Sequence, residues 1–433
     1  MEGWRNWAGN QSARPARVVT PADTGSVADA VTAAVRDGLT VKAVGSGHSF
    51  TGIAVTDGCL LRMDRLDRLV RADAATGEVT VQAGMPLHRL GPLLGEMGLA
   101  MTNLGDIDSQ TISGAVSTGT HGTGRAYGGL ATQLRGLELV LADGSVVRCS
   151  ADERPDLFAA ARIGLGALGV ITTVTLGCEP AFVLSAVEAP MSFDRVLADL
   201  DALVEGTDHF EFYWFPHTGV ALTKRNTRLP GDAPRRPVPA FRGWLDDELL
   251  SNTVFGLVNR LCAAAPRLTP AINTVSARAL SAREYADTSY RVFTSPRRVR
   301  FLEMEYAVPR AAITDVLLGI RQWIDTSGER IPFPVEVRFA AADDVWLSTA
   351  YGRDTAYIAV HQYPRLPHER YFAAVEDIVA AVDGRPHWGK LHGLDAARLR
   401  DLYPRFGDFT ALRDELDPGR SFDNPYLRTV LDV

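Results

Sequence analysis

The sequence predicts an α+β chain of two domains, the second built on an antiparallel sheet. Three observations carry that prediction. At 433 residues the chain exceeds what one typical core accommodates. Its first ~180 residues alternate short strands, glycine turns and short helices, as one α+β domain of ordinary size does. The remainder is richer in aromatic residues, and its longer strands are separated by helical stretches.

The elements follow in order. "SVADAVTAAVRDG" spaces Val27, Val31 and Val35 four residues apart, which reads as an amphipathic helix with Ser26 as N-cap and Gly38 at its end. "TVKAV" is a strand leading into a glycine loop, and "CLLRM" and "EVTVQAG" are further strands. "PLHRLGPLLGEMG" is the next helix, with proline at its first turn. From Gly105 to Gly129 small residues dominate, so this stretch is either a flexible linker or backbone laid closely against something. "GLELVLADGSVVRC" is a hairpin turning at Asp143-Gly144, and "LGALGVITTVTL" supplies a turn and a strand. In the second half "DHFEFYWFP", "FLEMEYAVP", "PVEVRFA" and "TAYIAVHQY" read as strands, "AAITDVLLGIRQWI" as a helix and "LPGDAPRRPVPAF" as a proline-rich loop.

Composition narrows the function. An apolar fraction of 46% and a charged fraction of 22% are those of a soluble globular protein. The net charge of -7 argues against a nucleic-acid partner. No apolar run reaches the ~20 residues of a membrane helix, and the first residues lack the apolar core of a secretory signal. Cys59, Cys149, Cys178 and Cys262 show neither CxxC nor zinc-ligand spacing, so they read as reduced packing residues. The expectation is a cytoplasmic enzyme with no metal, no membrane span and no nucleic acid.

The loop "GSGHSFTG" fails three common tests. A dinucleotide fingerprint needs glycine where Phe50 stands, and a P-loop needs Lys and Ser/Thr where Ile53 and Ala54 stand. The hydrolase elbow fails because "GHSFT" ends in threonine. A glycine loop without the P-loop lysine can still hold a pyrophosphate by its backbone N–H groups, charge neutralisation then coming from main-chain dipoles alone. Taken bare, His48 within it is more often a hydrogen-bonding filler than a functional group.

"GSGHSFTG", then "TISGAVSTGTHGTG" and "LGALGVIT", resembles the vanillyl-alcohol-oxidase (PCMH) type of FAD flavoprotein, within it the aldonolactone and alditol oxidases. "EVR" at Glu336 to Arg338, "AYGRDT", "RPHWGK" and "LDPGRSFDNPY" continue the similarity over essentially the whole chain. The resemblance implies a PCMH-type FAD domain over residues 1–178, an α+β cap over 179–415, and a segment over 416–433 that returns to the FAD domain as a strand or tail near Asn424. It implies a covalent bond from His48 to the 8α-methyl carbon of FAD. Gly45, Ser46, Gly47 and Ser49 would bind the pyrophosphate and its neighbours. Ser113, Gly114, Thr118, Gly119 and His121 would lie along the cofactor, with Ile171, His387 and Asn424 also contacting it.

On a strand alternate side chains share a face, so Glu336 and Arg338 point together while Val335, Val337 and Phe339 face the core. By themselves they read as an ion pair, and Lys390 as a surface lysine. The resemblance instead makes Glu336, Arg338 and Lys390 the catalytic wall. Glu336 and Lys390 share candidacy for the proton transfer, and Arg338 and Lys390 would stabilise developing negative charge. Asp106, His361 and Tyr363 would touch the substrate. Asp106 and Tyr363 depart from the alditol-type pattern of smaller hydroxyl residues and favour a ring-shaped lactone or a substrate outside either group. The resemblance puts Gly105 near the flavin carbon that meets dioxygen, where it has no side chain to bar it.

The implied reaction is oxidation of a CH–OH donor, an aldono-1,4-lactone such as a gulono-, galactono- or arabinono-lactone, by hydride transfer to covalent FAD with dioxygen giving hydrogen peroxide. The same fold could serve a dehydrogenase with another acceptor, or oxidise an alditol or natural-product alcohol. A non-catalytic carbohydrate-binding protein is the remote alternative. The sequence does not fix the oligomeric state, and a monomer is compatible with it.

Overall fold

A computed structural model describes residues 3–243 and 252–432. The longest sheet has eight strands, in the order Arg283–Thr288, Val183–Ser192, Val220–Leu229, His209–Trp214, Val335–Ala340, Thr355–Gln362, Leu302–Pro309 and Arg385–Pro386. All its pairings are antiparallel. Every second residue of its central strands is apolar. Met304, Tyr306, Val335, Val337 and Phe339 face a core with Phe210 and Phe212. The helices Ile313–Ser327 and Glu369–Ala380 close that core, the first through Ile313, Val316, Leu317, Ile320 and Ile324. The other face of the sheet is polar, and it becomes the site.

The first ~180 residues, the size of an ordinary domain, are built on two smaller sheets, with two two-stranded pairs beside them. Five antiparallel strands run in the order Val146–Ser150, Leu134–Val140, Val170–Gly177, Glu78–Gln82 and Leu69–Asp73. Three parallel strands, Arg17–Val19, Cys59–Arg62 and Val41–Val44, make the other. Their shared core also takes in Trp388, Leu399, Phe406, Phe409, Phe422 and Leu427 from the end of the chain.

Several expectations change in detail. The first helix spans Thr24–Arg36, and its N-cap is Asp23; Ser26 closes a reciprocal capping box from the third helical position. The Asp143-Gly144 hairpin forms, with Gly144 at φ +83 where a Cβ would be strained. The small-residue stretch from Gly105 is not a linker. Thr118 and His121 are buried there, Thr120 is half-buried, and Ile112–Ser117 is a short helix. The chain ends in a helix, Pro425–Leu431, rather than a strand. Asn424 is its N-cap, and Pro425 takes the first helical position, where a missing N–H costs nothing.

Candidate functional site

The polar sheet face is organised by register. Glu188 lies opposite both Arg283 and Lys224, and Glu211 lies opposite Lys224. Arg338 Nε donates to Glu211 Oε2 at 3.0 Å, and Arg338 stands opposite Tyr357. Charges therefore alternate in one row across five strands. A second row sets Glu303 opposite His361, and a third sets Glu305 and Glu336 on either side of Ala359.

Over this face lies a cavity of about 740 Å³, within the range of small-molecule sites. Glu336 and Arg338 both line it and both are buried; Arg338 Nη2 is 2.6 Å from Glu336 Oε1. The ion pair and the cavity wall are thus the same two residues. Burial first, then the neighbouring charges of Asp106 and Glu211, push the Glu336 carboxyl up to about 7 against the pull of Arg338. Burial opposes charge on Lys390 as well, but Glu303 and Glu305 outweigh it and hold the ammonium above its ordinary value. Lys390 Nζ pairs with Glu303 Oε2 and lies 5.4 Å above the Phe50 ring. Glu303 Oε1 is 3.4 Å from His361 Nε2, and this carboxylate raises the imidazole despite its burial. Deeper in, His121 Nε2 meets Glu305 Oε1 at 2.6 Å, and its ring stacks on Tyr357. With His387 these groups offer three ligand atoms within 4.8 Å of one another.

A narrower chamber of about 120 Å³ follows the glycine loop. His48, Ser49, Gln110 and Thr118 line both spaces and form the neck between them. Gly45 must be glycine, because a Cβ there would collide with Thr111 Oγ1. Gly47 has φ +68, which turns the chain so that His48 enters the neck. His48 stacks on Trp7 at 5.3 Å between ring centroids, and its Nε2 is 2.9 Å from Ser109 Oγ. Burial first, then Lys390, lowers this imidazole to about 4, so it is neutral at pH 7.

An FAD molecule fits this donor set: small residues and hydroxyls line a slender chamber that adjoins a wide one. At the neck Gln110 Oε1 is buried with no hydrogen-bond partner among the described residues, as an acceptor waiting for a ligand N–H would be. Lys42 also lines the slender chamber, its Nζ donating to Gly166 O and Phe422 O at 3.1 Å each. A titratable amine therefore does stand beside the loop, where main-chain dipoles alone were expected. Burial lowers it to about 7.

Most of the residues singled out in the sequence meet here. Glu336, Arg338, Lys390, Asp106, His361, Gly105, His121 and His387 line the wide cavity. Gly45, Ser46, Gly47, Ser113, Gly114 and Ile171 line the slender one. Three do not. Tyr363 lies one residue beyond its strand and outside the cavity wall, because the strand ends at Gln362. Gly119, at φ +81, shapes the turn after the short helix and lines neither space. Asn424 also lines neither: its Nδ2 donates to Gly52 O, Ile53 O and Val55 O, and its Oδ1 caps the last helix. It pins the loop after the glycine turn and has no group left for a cofactor.

Sequence reasoning missed Glu211, Glu303, Glu305, Gln110, Lys42 and Arg297. The signal for the three glutamates was present: "HFEFYW" and "FLEMEY" place acids at alternate positions of otherwise apolar strands. Such buried charges persist only when paired.

Comparison with known proteins gives matches along nearly the whole chain. The family model for D-arabinono-1,4-lactone oxidase matches residues 174–430, and one for an FAD binding domain matches residues 15–150. The chain is 44% identical to an L-gulono-1,4-lactone dehydrogenase of Mycobacterium tuberculosis, over 99% of each chain. It is 33% identical to an L-gulonolactone oxidase of Mus musculus, covering 99% of this chain and 98% of that one. Among solved structures, cholesterol oxidase from B. sterolicum superposes with a TM-score of 0.83 at 18% identity, over 99% and 96% of the two chains. That likeness shows the fold.

Proposed function

The chain belongs to the D-arabinono-1,4-lactone oxidase family, and from that premise we propose that it oxidises an aldono-1,4-lactone with FAD as its cofactor, bound covalently through His48. The observation that carries the reading is the wall of Glu336, Arg338 and Lys390 in one cavity that joins the glycine-loop chamber through His48. FAD, when bound, supplies the two-electron acceptor that takes hydride from the substrate carbon.

The chain's own residues do the rest. Glu336 takes the hydroxyl proton: its carboxyl, raised to about 7, exchanges protons near neutrality. Lys390, held above its ordinary value, stays an ammonium and cannot be the base at pH 7. Lys390 and Arg338 donate hydrogen bonds to oxygen as it gains charge. Burial of Glu336 and Arg338 lowers the local dielectric and strengthens those contacts. His48, neutral at pH 7, keeps a nitrogen lone pair free to form a bond to carbon.

Dioxygen is the proposed acceptor, supported by Gly105, which lines the cavity without a side chain. A dehydrogenase using another acceptor is the second reading, favoured by the name of the Mycobacterium tuberculosis relative. Steady-state oxidation of gulono-, galactono- and arabinono-lactones with and without oxygen separates them. Hydrogen peroxide equal to lactone consumed supports the oxidase; lactone turnover with a dye but no peroxide assigns the dehydrogenase. No turnover of any lactone by yellow, folded protein overturns the proposal.

The cofactor-binding part is proposed as residues 1–178 with the end of the chain, and the substrate part as 179–415. The packing of Trp388, Phe406 and Phe409 into the first core supports a returning segment longer than 416–433. Among the described residues no helix is long and apolar enough to cross a membrane. A cytoplasmic location is part of the same proposal, supported by four unbridged thiols.

A further inference from the structure

Asp106 spends its carboxylate chiefly on arginines. Arg297 donates to Asp106 Oδ2 from Nε at 3.2 Å and from Nη2 at 3.0 Å. Arg338 Nη2 stands 3.7 Å from the other oxygen. Ser295 N also donates to Asp106 O at 2.8 Å, so backbone and side chain together fix the segment carrying Arg297 over the cavity. Burial works against the Asp106 charge, but the two guanidinium groups outweigh it and keep the carboxyl well below its ordinary range.

Arg297 itself lines the cavity, on the wall that holds Asp106, and its side chain keeps 34% of its surface open. One edge of its guanidinium is taken by Asp106. Its Nη1 has no hydrogen-bond acceptor among the described residues. A planar donor already neutralised by a carboxylate suits a neutral acceptor, because an anion would find no unpaired charge to match. The same holds around it: Arg338 is shared by Glu336 and Glu211, and Lys390 is paired with Glu303.

We propose that Arg297, oriented by Asp106, reads the substrate's ring carbonyl and thereby selects a neutral lactone over its open-chain alditol and over the ring-opened aldonate. This rests on the lactone reading above. Asp106 acts through Arg297 and is a positioning residue; Arg297 sets specificity.

The test compares wild type with Arg297→Lys, Arg297→Met and Asp106→Asn. Each holoenzyme is assayed with a 1,4-lactone and the matching alditol, and inhibition is measured with γ-butyrolactone and with tetrahydrofuran, which lacks the carbonyl. Arg297→Met should raise KM for the lactone about 10- to 100-fold, the range of a lost hydrogen bond to a charged donor. It should lower kcat less, and it should erase the preference for γ-butyrolactone over tetrahydrofuran. Arg297→Lys should restore part of that preference, and Asp106→Asn should weaken it. Equal losses on lactone and alditol, with the inhibitor preference intact, would overturn the proposal and leave Arg297 a mere latch. Wild type that oxidises the alditol and no lactone would instead sink the lactone reading, whatever Arg297 does.

Discussion

Glu303 holds Lys390 with one carboxylate oxygen and faces His361 with the other. A single buried acid thus fixes Lys390 of the reaction wall and the imidazole beside it. Glu303→Gln should keep the shape and remove the charge that raises Lys390. The alkaline limb of the kcat/KM profile should move to lower pH, and kcat/KM at pH 7 should fall about tenfold or more. Rate measurements between neutral and alkaline pH check this. An unmoved alkaline limb would show that Lys390 does not respond to Glu303.

Glu336 gives the acid limb. With its carboxyl raised to about 7, kcat/KM should climb as pH rises through that value and then level off. Glu336→Gln should be slow, by about 10²-fold or more, and flat across the same range. The stability sign is opposite. The folded protein holds this proton more tightly than the unfolded chain does, so Glu336 contributes stability below its unfolded value near 4.5 and loses it as pH rises to about 7. Melting temperatures over that window should fall more steeply for wild type than for Glu336→Gln.

The covalent bond is checked by mass. Denatured wild-type chain should carry the added mass of one FAD, and His48→Ala should carry none while keeping its secondary structure. Wild-type polypeptide of bare mass with yellow supernatant would mean that His48 binds the flavin without bonding it.

Lys42 bears on cofactor retention. The residue lines the slender chamber, and its amino group bridges two carbonyl oxygens from distant parts of the chain. Lys42→Met should cost about 1–3 kcal/mol of stability through those orphaned carbonyls. In a His48→Ala background it should also weaken FAD binding, measured by fluorescence titration of apoprotein. A stability loss with unchanged FAD affinity would make Lys42 a structural staple alone.

Gly105→Ala tests oxygen access. The new Cβ would sit 3.2 Å from Thr120 Cγ2 and 3.3 Å from His121 O, tight but tolerable with a small shift. Reoxidation of the reduced enzyme by dioxygen should slow while reduction by lactone is little changed. Stopped-flow measurement of the two half-reactions decides it, and unaltered reoxidation would remove Gly105 from the argument.

Much of this site was legible because it rests on local pattern. Glu336 and Arg338 share a face by strand periodicity alone, and the glycine loop was visible through its spacing. The long-range pairs were not. Asp106 and Arg297 lie 191 residues apart, and nothing near either one announces the other. Asp106 looked like an extra charge for substrate, whereas tertiary folding had already committed it. Asn424 erred the other way: Asn before Pro is a helix-start signal, and the flavin resemblance drew attention from it. Tyr363 followed the period of its strand correctly, but the strand stopped one residue short.

The alternating row from Arg283 to Arg338 has an evolutionary corollary. Reversing or deleting a member takes a partner from the charges beside it on the cavity face, so drift at these sites is coupled like tumblers in a lock. Relatives that diverge toward another substrate should exchange these positions in compensating pairs, and a library that varies them singly should return mostly insoluble protein.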